Sequence, residues 1–196
     1  MNIHKGVGIN NTMKKTNYGF TIIELLVTVA ILAILSAIAI PSFNELIDSN
    51  ARRTQLASIG GDLRHARGEA LGKRQEVVIC SSANGTTCSG NTDWSNGWII
   101  FLDRNINQLP DYGTNTCALD EDCLVSSRAA LTQQVTLNSD SDFVVFSKLG
   151  EREGGSSTFR LCSEDALAVN DVDNSHTISI VASGSVSVAG GAAICP

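Results

Sequence analysis

The sequence lacks the residue patterns from which catalytic and metal sites are usually recognised. Its three histidines, His4, His65 and His176, are scattered, and no two of its six cysteines have C-x-x-C spacing, so a zinc site has little support. It contains no nucleophile elbow, no phosphate-binding P-loop and no histidine-centred triad spacing. These absences predict a protein that is not an enzyme and that uses no metal and no cofactor.

Charge is unevenly divided along the 196 residues. Residues 1–19 contain Lys5, Lys14 and Lys15 and no acidic residue, whereas the whole chain carries 14 Lys and Arg against 20 Asp and Glu, a net charge of −6. Without residues 1–19 the balance is 11 to 20, or −9. A surface of that sign repels the phosphate backbone of nucleic acids on average.

An apolar run follows the basic segment. It extends over 21 residues from Phe20 to Ile40, and Glu24 is its only charged residue. A helix of this length can cross the hydrocarbon layer of a membrane, about 30 Å thick, and its basic flank is expected to stay on the cytoplasmic side. A carboxylate costs about 2.5 to 3.5 kcal/mol at the centre of such a helix and less near its end. Glu24 therefore indicates a partner or a function.

Two further interpretations of this region remain open. The sequence Thr21-Ile22-Ile23-Glu24 fits a capping box, in which the hydroxyl and the carboxylate bind the first amides of a helix, and this local role is compatible with a partner elsewhere. The sequence Ala37-Ile38-Ala39 fits the cleavage site of a secretory signal, which would release a periplasmic enzyme. Against the signal, the apolar run is longer than the usual core of about 7 to 15 residues and contains a charge.

The residues Gly19, Phe20 and Glu24 resemble the type IV pilin family, whose precursors carry a short basic leader that ends in Gly, then Phe, then an apolar helix with Glu as its fifth residue. The resemblance implies that a membrane-embedded prepilin peptidase cuts after Gly19 and methylates the new amino terminus at Phe20. It also implies that Glu24 pairs with the Phe20 amine, on a neighbouring pilin subunit, during assembly.

The residues beyond the apolar run predict a longer helix and then a β domain. Apolar residues recur at steps of three and four on one helix face up to Gly72: Leu56, Ile59, Leu63, Ala66 and Ala70. Pro41 is expected to bend this helix, and Gly60-Gly61 marks a second place where it can kink. Short β-branched and aromatic runs then predict strands at 76–80, 98–102, 143–146, 158–162 and 177–180.

The turns and loops of the β domain are also predicted. The clearest hairpin joins Ile178 and Ile180 to Val186 and Val188 through Ser183-Gly184. The long polar connections 84–96 and 103–126 are expected to be surface loops.

The six cysteines all follow the apolar run, where an oxidising compartment would let them pair. Six cysteines allow 15 connectivities, and the sequence does not choose among them. We favour the locally closed set, in which Cys80 pairs with Cys88, Cys117 with Cys123, and Cys162 with Cys195, because the first two bonds would each close a short polar loop and the third would fix the C-terminus to the sheet.

The globular part resembles minor pilins and pseudopilins of the FimT, FimU and GspH kind. The segments that carry this resemblance are 66–70, 94–103, 146–150 and 159–162, followed by the terminal hairpin. The resemblance implies an α+β, pilin-like fold in which a long N-terminal transmembrane helix packs on a small antiparallel β domain with disulfide-stapled loops. The expected organisation is a prepilin leader (1–19), a transmembrane and assembly helix (20–40), its amphipathic continuation (41–72) and a periplasmic or extracellular β domain (73–196).

Two weaker signals concern ligands. The segment from Asp103 to Asn107, with Asp111, imitates the start of a calcium loop, but Gln108 and Thr114 occupy the positions that require Gly and Glu, so a solvated turn is favoured. Six basic residues lie on the second half of the helix, and Arg64 and Arg67 among them are the candidate DNA contacts. DNA-receptor members of the family carry a Gly-Arg-x-Arg tail, whereas Gly184-Ser185-Val186-Ser187 stands here, so DNA is a disfavoured partner.

The sequence thus predicts a structural minor pilin that is held in the inner membrane by a single helix, with a cytoplasmic N-terminus and a periplasmic domain, and then enters a filament. The expected partners are prepilin peptidase, inner-membrane lipid and other major and minor pilin subunits. A priming or tip subunit of a type IV pilus, active in pilus biogenesis and twitching motility, is favoured. The alternatives are a pseudopilin of a type II secretion system and a DNA-binding pilin of natural transformation.

Overall fold

A computed structural model describes residues 19–111, 117, 121–132, 135–163, 174–190 and 195. The helix α1 comprises Ile22–Lys73 and ends where Arg74 takes a left-handed conformation, with φ of 55°, as is common one residue past a helix. The chain divides into two compact units, Met1–Glu45 and Leu46–Pro196. The second unit therefore contains the last part of α1 together with all the strands.

Eight strands form two antiparallel sheets within the described residues. The first sheet has the order β3-β2-β1-β5 and the second the order β4-β6-β7-β8. The strands are β1 (Glu76–Ser81), β2 (Trp98–Asp103), β3 (Cys123–Arg128), β4 (Val135–Ser139), β5 (Phe143–Phe146), β6 (Ser157–Ser163), β7 (Ser175–Ile180) and β8 (Val186–Gly190). With the helix, they confirm the predicted α+β class.

The main hydrophobic core lies where both sheets meet one face of α1. Ile59, Leu63, Ala66 and Ala70 are fully buried there and Leu56 is partly buried, as the three-and-four spacing predicted. The first sheet has a second buried cluster on its other face, formed by Val78, Cys80, Ile99, Phe101 and Val145. Because both faces of β1 and β2 are buried, their sequences read as continuous apolar runs rather than as alternating ones.

The predicted hairpin has the expected register. Ile178 pairs with Val188 and Ile180 with Val186, and the turn between them contains Gly184 at φ +76°. The observed β1, β2, β5, β6 and β7 each contain one of the predicted strands. Helical structure continues through Gly60 and Gly61, where Gly60 lies close to Val188 and a β-carbon would be 3.6 Å from its methyl group.

One expectation about loops was wrong. The strands β3 and β4 were missed, and β3 begins inside the segment 103–126 that was expected to be a surface loop. Apart from Cys123, only two of the six residues of β3 are apolar, so its pairing with β2 determines its conformation more than its own composition does. The other polar connection, 84–96, is exposed or partly exposed except at Trp94, which is fully buried: its Nε1–H donates to Ser141 O at 3.0 Å and its ring meets Phe159 edge-on at 4.8 Å.

Candidate processing and assembly site

The start of α1 brings together the residues predicted for processing and assembly. Gly19, Phe20 and Thr21 precede the helix, and the Phe20 side chain is 87% exposed. The carbonyl of Thr21 accepts the Leu25 N–H at 3.2 Å, and its hydroxyl oxygen accepts the Glu24 N–H at 3.3 Å. Thr21 therefore caps the helix with the hydroxyl half of the predicted capping box.

The Glu24 side chain is exposed in the first turn of α1. Its carboxylate accepts no hydrogen bond and forms no ion pair with the part of the chain that the structure describes. An acid in the first turn is favoured by the partial positive charge of the helix N-terminus. That interaction leaves both carboxylate oxygens available to a cation from outside the chain.

The apolar segment around Glu24 is exposed throughout. Residues Ile22–Ile40 are long and apolar enough to cross a membrane, and every large hydrophobic side chain from Phe20 to Ile40 is at least half exposed. Two hydroxyl groups in this segment bind the helix itself, Thr28 Oγ1 to Leu25 O at 2.8 Å and Ser36 Oγ to Leu32 O at 2.7 Å. The segment therefore needs an apolar environment, and Glu24 is the side chain that this environment would not satisfy.

The candidate DNA contacts, Arg64 and Arg67, bind backbone carbonyls of their own domain. Arg67 Nε donates to Gly150 O and its Nη2 to Ser183 O, each at 2.9 Å. Arg64 Nη1 donates to Gly60 O at 3.0 Å, and its Nη2 lies 3.4 Å from Val186 O. Arg67 thus joins α1 to two turns of the β domain, which is a structural role that the sequence analysis did not predict.

Two glycines make this junction sterically feasible. A β-carbon on Gly184 would lie 1.9 Å from Gly150 O, and one on Gly150 would lie 2.9 Å from the Leu71 side chain. Both glycines have positive φ. Side chains at either position would separate the turns from the helix.

Sequence reasoning also missed a buried acid, Asp62, on the core face of α1. Its Oδ2 accepts Trp98 Nε1–H at 2.9 Å and Arg128 Nε–H at 2.8 Å, and its Oδ1 accepts Arg128 Nη2–H at 3.0 Å. Asp62 lies three residues after Ile59 and four before Ala66, so the apolar spacing itself placed a charge on the buried face. An acid at a position where this spacing predicts an apolar residue was the signal from which the buried Asp62 could have been found.

The three disulfides join the favoured pairs, Cys80 with Cys88, Cys117 with Cys123, and Cys162 with Cys195. The first bond ties β1 to the loop that follows it, the second lies at the start of β3, and the third ties the C-terminal segment to β6.

The segment that imitates a calcium loop is held by its own backbone. The buried Asp103 carboxylate accepts N–H groups of Ile106 and Gln108 at 2.7 Å and of Asn107 at 3.3 Å. Asp122, also buried, accepts the N–H of Arg104 at 2.8 Å and of Asp111 at 3.3 Å. Burial and the neighbouring Asp111 carboxyl raise the pKa of Asp122 to about 6. The acids of this loop therefore organise a turn.

Comparison with known families matches two parts of the chain. Residues 55–184 match the family described as type II transport protein GspH. Residues 14–40 match the prokaryotic N-terminal methylation motif, which contains Gly19, Phe20 and Glu24.

Three individual proteins are similar to this chain. The type IV major fimbrial protein FimA of Dichelobacter nodosus is 34% identical over 92 residues, which are 47% of this chain and 49% of FimA, so the chain spans about half the length of this curated relative. The crystal structure of the type IV minor pilin FimU of Pseudomonas aeruginosa has a TM-score of 0.51 at 17% identity and covers 78% of this chain and 93% of FimU, a likeness of fold. The minor pseudopilin EpsH from the type 2 secretion system of Vibrio cholerae has a TM-score of 0.47 at 8% identity, with 72% and 98% coverage.

Proposed function

The chain belongs to the family described as type II transport protein GspH, a family of minor pilins and pseudopilins, and on that premise we propose that it is a structural minor subunit of a type IV pilus. Its proposed place is at the priming complex or tip, where it supports pilus biogenesis and twitching motility. The observation that carries the proposal is Glu24, an acid without a partner among the described residues, in an exposed apolar helix that directly follows Gly19 and Phe20.

Processing creates the partner that Glu24 lacks. Hydrolysis of the peptide bond between Gly19 and Phe20 by prepilin peptidase removes the basic leader and leaves a new amine on Phe20, which remains protonated after methylation. In the filament core, the Glu24 carboxylate pairs with the Phe20 ammonium group of a neighbouring subunit. Because both charges lie in a dry environment, a wrong axial register would leave each unpaired, and the pair therefore selects the correct one.

The location of the protein changes during this sequence. Before assembly, residues 20–40 cross the inner membrane with the leader in the cytoplasm, and the β domain lies in the periplasm, where its disulfides form. After assembly, the same apolar side chains pack against helices of other major and minor pilin subunits instead of lipid. No catalytic step is assigned to the chain.

A second candidate is a pseudopilin of a type II secretion system, which the description of the matching family favours. A deletion strain separates the two. Loss of surface pili and of twitching with normal protein secretion supports the pilus subunit, whereas loss of secretion with normal pili supports the pseudopilin.

Mass spectrometry of the protein from membranes tests the processing step on which both candidates depend. The expected N-terminal residue is a methylated Phe20. A chain that begins at Ile40 would identify a secretory signal peptide, and an unprocessed chain would remove the cationic partner of Glu24. Either result contradicts the proposal.

A further inference from the structure

An open pocket of about 320 Å³ lies between the last part of α1 and the turn of the terminal hairpin. The helix contributes Arg64, Arg67, Gly68 and Leu71, and the hairpin contributes residues 184–186. The pocket lies wholly within the second unit of the chain, so its geometry does not depend on the membrane segment.

Two guanidinium groups make this pocket cationic, and none of the described residues that line it is acidic. Arg67 is held in place by two hydrogen bonds to backbone carbonyls, which its Nε and Nη2 donate. Among the described residues, no hydrogen bond involves its Nη1. Arg64 is exposed, and its Nη2 contact with Val186 O, at 3.4 Å, is longer than an ordinary N–H···O bond. The pocket therefore combines a preorganised cation with an adaptable one.

The remaining surfaces of the pocket define what can enter it. Gly68 has no side chain, and a β-carbon placed there would meet no atom within 4 Å. Leu71 is 47% exposed and supplies an apolar surface next to the arginines. A ligand with one anionic group beside an aliphatic group complements both features.

We infer that this pocket binds an acidic side chain of a partner protein, a Glu or Asp that is flanked by an aliphatic residue. The inference rests on the proposed function, in which the β domain contacts other subunits of a filament. Two arginines that converge on a concave site suit one carboxylate, because guanidinium groups form charge-assisted and often bidentate bonds with carboxylates.

Duplex DNA fits this pocket less well than an acidic side chain does. Phosphate contacts to a duplex are spread along its backbone, whereas the pocket is a single concavity. The chain also carries a net charge of −6, which becomes −9 without the leader, and this charge opposes a polyanion more than it opposes one carboxylate.

Titration of the full-length mature protein in detergent micelles tests the inference. The probe is the capped dipeptide acetyl-leucyl-glutamate amide, and the comparison ligand is its glutamine counterpart. Backbone amide shifts of Gly68 and Gly184 in NMR spectra report binding. We expect saturable shifts with the glutamate peptide and binding of the glutamine peptide that is weaker by about tenfold, since only the former makes a charge-assisted bond.

Two substitutions locate the binding site. Gly68→Leu fills the pocket without changing charge and is expected to weaken glutamate-peptide binding by about tenfold, whereas its control, Gly61→Leu, lies on the same helix outside the pocket and leaves binding unchanged. Leucine is a better helix former than glycine, so both replacements preserve folding. Arg64→Gln and its control, Arg53→Gln, form a second pair. Arg64→Gln removes a positive charge from the pocket and is expected to weaken binding, whereas Arg53→Gln removes one outside the pocket and leaves binding unchanged.

Three results would overturn the inference. Equal binding of the glutamate and glutamine peptides would remove the role of the carboxylate, and undiminished binding by Gly68→Leu and Arg64→Gln would place the site elsewhere. Binding of a short DNA duplex that Gly68→Leu abolishes, without peptide binding, would assign the pocket to phosphate. The titration uses purified protein and is independent of filament assembly, so its failure is distinct from a wrong N-terminus in the mass spectrum.

Discussion

Two acids on one helix, Glu24 and Asp62, have different environments in the two units of this protein. Asp62, in the second unit, is only 6% exposed and accepts three hydrogen bonds, from Trp98 and Arg128. Glu24, in the first unit, is exposed among apolar side chains and has no side-chain partner among the described residues.

Under the proposed function, this difference separates an acid that stabilises its own domain from an acid that binds another subunit. A buried charge whose hydrogen bonds are complete within the chain positions its own domain, whereas a charge that lies in an apolar segment without a partner requires one from another molecule. The second unit is therefore expected to be self-sufficient, and the first to depend on lipid or on other subunits. Four predictions test this contrast.

The largest effect is expected for Glu24→Ala. Under the proposed function, removing the carboxylate leaves the Phe20 amine of the neighbouring subunit without its counterion, so the amount of protein in sheared filaments should fall by about two orders of magnitude. The amount in the inner membrane should not change, because the substitution makes the segment more apolar. Quantitative immunoblots of both fractions measure the two amounts.

Thr28→Val is the control for Glu24→Ala. Thr28 lies one turn after Glu24 and its hydroxyl binds the helix backbone, so its replacement makes the same segment more apolar without removing a charge. Normal abundance of Glu24→Ala in filaments would show that the acid has no intersubunit partner and serves only the start of the helix.

Disulfide removal should destabilise the second unit and leave membrane insertion intact. The Cys162–Cys195 bond closes a separation of 33 residues and the Cys80–Cys88 bond one of 8. Chain entropy predicts losses of about 4 and 2.5 kcal/mol for double Cys→Ser variants of the two pairs. Urea unfolding followed by tryptophan fluorescence measures both, and a larger loss for the shorter loop would contradict the entropic ranking.

Asp62→Ala should lower the free energy of unfolding by about 3 kcal/mol, since it leaves the buried Trp98 N–H unsatisfied and removes the bidentate partner of the half-exposed Arg128. Glu69→Ala is the control, because the ion pair that the described residues show for Glu69 is with His65, at 3.7 Å near the surface. This variant should cost about 0.5 kcal/mol or less. Similar losses for the two variants would remove the distinction between a buried and a surface acid.

The smallest effect concerns Asp122, an acid whose neighbour is another acid. Its pKa is about 6 in the folded protein, against 3.8 ordinarily, because of burial and the Asp111 carboxyl. The folded state therefore holds a proton that the unfolded state releases between these pH values. The stability that this proton contributes is complete below about pH 4 and is lost as the pH rises through 6.

Asp111 does not reverse this trend, because its own pKa is lowered by hydrogen bonds from Asp122 and Asn105 and it titrates below this range. We expect the free energy of unfolding to fall by about 2 kcal/mol between pH 4 and pH 6 on account of Asp122. The decrease should be smaller in Asp122→Asn. Thermal unfolding at several pH values measures this, and identical profiles for the two proteins would contradict the assignment.

Much of this architecture was predictable from local pattern. The spacing of apolar residues predicted the buried face of α1, and runs of β-branched and aromatic residues predicted five strands. The register of the terminal hairpin also followed from its sequence. The strands β3 and β4 were missed, because each has only two apolar residues besides Cys123 and their conformation depends on pairing with β2 and β6. The burial of Trp94 depends in the same way on distant residues, because its partners Phe159 and Ser141 are far away in sequence.

By itself, the sequence determined the helix that fits a membrane, the acid within it and the N-terminal methylation motif to which both belong, because these depend on residue identity over one short, continuous segment. Only the tertiary structure decided the roles of Asp62, Arg64 and Arg67. Apart from Gly60 O, which lies on the same helix as Arg64, their partners are backbone carbonyls and side chains from other parts of the chain. Spacing along one helix shows which face a charge occupies but not which groups contact it there.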